Sequence, residues 1–193
     1  MRELFHGCHI TSRDSLSLIR YTKMITCFIC CSFSFNLVHA DKWLVGTGMA
    51  FSSIEDKALG TVNLNTIPII LGYQIETDKN VTFTPELRYG FGIGDDKYDQ
   101  LTVEIDKMLT LGIRAQWEVN DKIFMFIAPA KVKLTAKAAG TGIQNRGTES
   151  GLGIGFGGGM QITNDLSAEI NYESYDLNGA DFDLLGIAFR KTF

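Results

Sequence analysis

After residue 40, apolar side chains recur at every second position, and no stretch carries the spacing of an amphipathic helix. Period two marks β-strands, because successive side chains leave a strand on opposite faces. The segment VTFTPELRYGFGIG, residues 81–94, is the clearest case. Val81, Phe83, Leu87, Tyr89, Phe91 and Ile93 alternate with Thr82, Thr84, Glu86, Arg88, Gly90 and Gly92. Strands are expected at 42–52, 66–76, 80–93, 102–117, 122–134, 151–162, 166–176 and 182–193. The fold class is therefore all-β. The fifth strand is read with Phe124, Phe126, Ala128, Ala130, Val132 and Leu134 on its apolar face.

The connections alternate as well. Short ones fall near 77–79, 118–121 and 163–165, longer ones near 53–65, 94–101 and 135–150, and an intermediate one near 177–181. That rhythm, with strands of this length, fits an eight-stranded antiparallel up-and-down transmembrane β-barrel with tight periplasmic turns. In a membrane barrel the apolar face meets lipid and the polar face lines the lumen. Glu86, Arg88, Glu104, Asp106, Arg114, Lys131, Lys133, Glu169, Glu173 and Arg190 are then expected to form a polar network in a lumen narrow enough for side chains to fill. Trp43, Tyr73, Phe83, Trp117, Phe124 and Phe193 are expected as an outward aromatic girdle at the periplasmic membrane interface. Pro68, Pro85 and Pro129 fall inside strands and predict local bulges.

Residues 1–40 read as a cleaved signal peptide. Arg20 and Lys23 precede the apolar run MITCFICCSFSFNLV, and Val38-His39-Ala40 suits signal peptidase; Met24 is an alternative start. All four Cys and all three His lie in this leader. The barrel domain at 41–193 then has neither, and carries a net charge of −6 from 14 basic and 20 acidic residues. That charge gives no reason to expect a nucleic-acid partner. Without Cys, the exported domain has no disulfides.

The last stretch, LLGIAFRKTF, places apolar residues at every second position and ends on Phe193. It resembles the C-terminal strand of bacterial outer-membrane barrels. With the leader and eight strands, the chain resembles the small OmpA/OmpX-like barrel family of Gram-negative bacteria. Lys191 departs from the pattern, since an aromatic is usual there. The resemblance implies an integral outer-membrane location, contact with outer-membrane lipid and lipopolysaccharide, and a monomeric barrel. It also implies recognition of Phe193 by the barrel-assembly machinery.

GLGIGFGGG, 151–159, contains a G-x-G-x-x-G match. A dinucleotide loop must follow a strand and open a helix; here the glycines lie inside an alternating strand, where Gly153, Gly155, Gly157 and Gly159 would make room for large side chains opposite. Asp95, Asp96, Asp99 and Glu104 lack EF-hand spacing and read as a solvated external loop. No cofactor is expected. An enzyme is not expected either: barrel enzymes of this membrane generally use a His-containing site, and Cys nucleophiles and Cys/His zinc sites need residues the domain lacks. The function expected is structural or adhesion-type surface interaction through external loops, with a host or cell-surface ligand. A narrow pore is the alternative, followed by a soluble lipocalin-like binding barrel.

Overall fold

The computed structural model describes residues 42–56, 60–77, 80–98, 101–140 and 143–193. The expected signal peptide at 1–40 lies outside the described residues.

Nine strands run in chain order: β1 (Lys42–Asp56), β2 (Gly60–Glu76), β3 (Val81–Ile93), β4 (Asp96–Tyr98), β5 (Leu101–Glu118), β6 (Ile123–Gly140), β7 (Ile143–Gln161), β8 (Leu166–Leu177) and β9 (Ala180–Thr192). Each of the eight long strands pairs antiparallel with its sequence neighbours, and β1 pairs with β9, so the sheet closes. The three-residue β4 extends the line of β3 and pairs only with β5. There the Asp96 carboxylate accepts the Asn63 backbone N–H at 2.8 Å.

The register fixes the barrel's shape. One row of partners runs Leu44, Gly72, Glu86, Gly112, Ala130, Gly153, Tyr175, Phe182 and back to β1 at Ile54, ten residues beyond its start. Eight strands with that stagger tilt by roughly 40° from the barrel axis.

Large apolar side chains point outward, among them Trp43, Leu111, Phe156 and Phe189, all more than half exposed. The charged side chains of Glu86, Arg114, Glu169, Glu173 and Arg190 point in and are buried. A soluble lipocalin-like barrel needs the opposite arrangement, so the chain is not one.

The strands outrun the expected boundaries on the external side. The sequence reads 53–65 and 135–150 as loops; β1 and β2 pair up to Asp56↔Gly60, and β6 and β7 up to Gly140↔Ile143. Beyond the membrane both faces of a hairpin meet water, so the apolar alternation fades while the backbone ladder continues. The prolines do not make bulges. The recorded register shift lies between Ile105 and Lys107, whereas the registers at Pro68, Pro85 and Pro129 continue unshifted. In an antiparallel strand, a residue's N–H and C=O address the same neighbour, so the missing donor weakens one rung and leaves the other neighbour paired.

Candidate functional site

Six charged residues meet at mid-barrel. Glu86 and Arg88 come from β3, Arg114 from β5, Glu169 and Glu173 from β8, and Arg190 from β9. Arg190 donates to Glu169 at 2.7 Å and also to both carboxylate oxygens of Glu86. Arg114 donates to Glu169 at 2.6 Å and to the Gln116 amide oxygen at 2.8 Å. Arg88 donates to Glu173, which also accepts from the Asn171 amide and the Tyr175 hydroxyl. Three cations face three anions, so the layer carries no net charge. Charges taken out of water stand only when paired and hydrogen-bonded, as these are.

Buried apolar side chains pack in the lumen on both sides of this layer. Toward the external end lie Val62, Leu64, Val132, Leu134, Tyr175, Leu177, Phe182 and Leu184, all buried. Toward the periplasm, Phe126 stacks under the Arg114 guanidinium at 3.5 Å, with Phe124 at 5.5 Å. The space left within the charged layer is about 30 Å³, room for about one water molecule.

Five expected positions fall elsewhere. Phe124 is not in the outward girdle: it is 2 % exposed and packs in the lumen with Phe126 and Ala128. Lys131 and Lys133 are not in the lumen network: both are exposed on the outer face of β6, beside Leu109 and Leu111. The cause is the same. β6 is apolar at both parities, with Ile123, Met125 and Ile127 between the even-numbered residues, so alternation alone does not choose a face. β7 decides it. Phe124 lies opposite Gly159 and Phe126 opposite Gly157, and a Cβ at either glycine would stand 2.4 or 2.6 Å from the ring. The even face runs opposite Gly153, Gly155, Gly157 and Gly159, whereas Ile123 and Ile127 of the odd face meet Met160 and Phe156.

Glu104 and Asp106 also leave the lumen network. They stand at the external rim beside the β5 register shift, where Lys137 of β6 reaches Glu104 at 3.4 Å and Asp106 at 2.6 Å, and Arg146 of β7 also donates to Asp106. The Lys137 hydrogen bond, with the charge of Arg146, holds the Asp106 carboxyl below the usual carboxylate range. Its hydrogen bonds to Asp106 and Glu104 hold Lys137 above the usual lysine range.

The remaining aromatics face outward near the end of the barrel where Trp43 meets Phe193. Trp43 is 64 %, Trp117 39 % and Phe193 69 % exposed, and the Trp43 and Tyr73 rings meet edge to face at 5.2 Å. Phe83 lies beside Ile75 of β2. The chain terminus is tied in, with the Phe193 N–H donating to the Trp43 carbonyl at 2.9 Å. Lys191, the departure from the terminal pattern, stands 5.3 Å from the Phe193 ring.

With the closed ring and its inverted polarity in place, the comparisons decide the family. The model of the outer membrane protein beta-barrel domain matches residues 26–193. The chain belongs to this family. Members are bacterial outer-membrane barrels, and the solved structures agree on the fold. Ail, the attachment invasion locus protein of Yersinia pestis, is 13 % identical at a TM-score of 0.63, with 80 % of this chain and 100 % of Ail covered. Neisserial surface protein A is 16 % identical at a TM-score of 0.60, with 80 % and 100 % covered. Among curated proteins none matches the sequence. For this outer-membrane barrel, identities so low carry the fold alone.

Proposed function

We propose that this outer-membrane barrel has a structural and surface-interaction role, presenting its external hairpins to molecules outside the cell. The observation that carries the reading is a filled lumen beneath a projecting sheet. β5, β6 and β7 rise together, with β6 paired to β7 as far as Gly140. From Lys133 to Gly140 the hairpin climbs roughly 18 Å along the barrel axis. β7 pairs with β8 only from Leu152 onward, and the end of β8 at Leu177 reaches Gly151, so among the described residues no strand covers the outer edge of 143–150. An open edge offers backbone donors and acceptors to an extended segment of a host or cell-surface protein.

The neutral charged layer with apolar packing on both sides favours this reading over a narrow pore. On the same reading, residues 1–40 are a cleaved leader, and Trp43, Tyr73, Phe83, Trp117 and Phe193 form the periplasmic girdle. Phe193 is the signal to the assembly machinery, and the barrel is a monomer without enzymatic activity. The test is deletion of 138–145 from the hairpin, with surface expression checked by heat-modifiability on gels. Adherence of expressing cells to host-cell monolayers should fall to that of vector controls. Unchanged adherence, or discrete conductance steps from the intact protein in planar bilayers, overturns the reading.

A further inference from the structure

The odd-numbered glycines of β7 follow one pattern. A Cβ added at Gly159 or Gly157 would meet the ring of Phe124 or Phe126. At Gly155 it would meet the side chain of Glu173, at Gly153 the ring of Tyr175, and at Gly151 the side chain of Leu177. Each of these glycines is covered by a large side chain from a neighbouring strand. Gly147 breaks the pattern: it is exposed, and a Cβ there would meet nothing within 4 Å.

The β6–β7 register runs unshifted from Met160 to Ile143, so Gly147 lies on the same face as the glycines below it. Across its rung stand Ala136 of β6 and Ile105 of β5. Side chains shrink toward the free edge, from the buried Ile105 to Ala136 to Gly147, and leave a shelf open at that edge. Below, the shelf is bounded by Leu177 over Gly151 and by the Asn178 amide, which donates to the Glu149 carboxylate. Above, it ends at Ile143, where β7 begins. Positions 143–148 leave room for a strand about 20 Å long. The fold already fills a slot of this kind: β4 extends the line of β3 and pairs only with β5. The vacant slot extends the line of β8 along β7 in the same way.

A bare glycine weakens a strand, because it packs nothing and leaves its backbone to water. A cross-strand aromatic repairs that defect by lying over the glycine. We infer that the free edge of β7 takes an extended segment of a partner protein in antiparallel pairing, with an aromatic residue opposite Gly147. The ring lies over Gly147 and Ala136 and reaches toward Ile105. The inference rests on the surface-interaction reading and names the peptide class its edge takes. A second copy of this edge is the poorer occupant, since its own 143–150, IQNRGTES, brings no aromatic residue.

The test adds two capped peptides, Thr-Phe-Thr-Val-Thr-Val and Thr-Ala-Thr-Val-Thr-Val, to the full barrel in nanodiscs and follows its backbone amides by NMR. Amides of 143–148 should shift and gain protection. The Phe peptide should bind about threefold more tightly than the Ala peptide, the worth of one aromatic cross-strand pair. Gly147→Val has room for its side chain and keeps the backbone edge, but fills the shelf. On that variant, shown to be folded by heat-modifiability, the two peptides should bind alike. Equal affinity of the two peptides for the wild type, with the edge protected, overturns the aromatic preference and leaves the open edge standing. A Phe preference unchanged in Gly147→Val overturns the site. So does edge protection that exists without peptide and grows with barrel concentration, which marks a second copy. No edge protection with either peptide, while deletion of 138–145 still abolishes adherence, overturns the inference and spares the adhesion reading.

Discussion

Glu169 accepts from two arginines, Arg114 and Arg190, and is nearly inaccessible to solvent. Replacing it by Gln leaves the two cations sharing one fewer anion in a layer that is otherwise balanced. Loss of one partner from a buried ion pair costs about 3–5 kcal/mol. Glu169→Gln should therefore lower the temperature at which the compact gel band converts to the unfolded one, while the surface pair Lys42–Glu76, half-exposed at 3.4 Å, should tolerate the same removal with little change. Glu86 and Arg88 are legible as lumen residues in the sequence because their strand is apolar at one parity only. Lys131 and Lys133 are not legible, because their strand is apolar at both. The signal that would have placed them lies on another strand, in the glycines at 153, 155, 157 and 159, which admit bulky neighbours on one face alone.

At the scale of the element, the β6–β7 hairpin is held upright by the cluster of Glu104, Asp106, Lys137 and Arg146. A carboxyl whose folded pKa is depressed contributes stability above its ordinary pKa and loses that contribution as pH falls through the folded value. Lys137 is shifted up, so its share is intact throughout the acidic range and fades only in strong base. Protection factors of backbone amides near 137–146, referred to the intrinsic exchange rate at each pH, should fall as the medium is acidified below the ordinary carboxylate range. Asp106→Asn should exchange faster already at neutral pH and respond less to acid. Strand identity was readable from alternation for all eight staves. Strand length was not, because a hairpin in water has no apolar face to mark its extent. The bulges expected at the prolines failed for a related reason: the sequence names the missing donor but not which neighbour it faced.

For the whole molecule, the membrane-facing belt sets where the barrel sits. The sequence has two tryptophans, and both are outward, Trp43 beside Phe193. Their fluorescence should be quenched more by lipids brominated near the headgroup than by lipids brominated at the chain ends; the reverse order would displace the girdle toward the bilayer centre. The barrel's closure and polarity were legible because lipid and lumen demand opposite chemistries on alternating residues. The path of the lumen charges was not, since which cation meets which anion depends on a stagger that no single strand encodes.

The strands also end at different heights. β8 turns into β9 at Asn178 and Gly179, both with positive φ, while β6 continues to Gly140. The external rim is therefore steeply lopsided, and the protein has a front and a back when viewed from outside the cell. Rotation about the membrane normal, which is immaterial for a level-rimmed barrel, decides here what an approaching surface meets. Any neighbour that fixed the barrel's heading in the membrane would thereby aim its tallest hairpin.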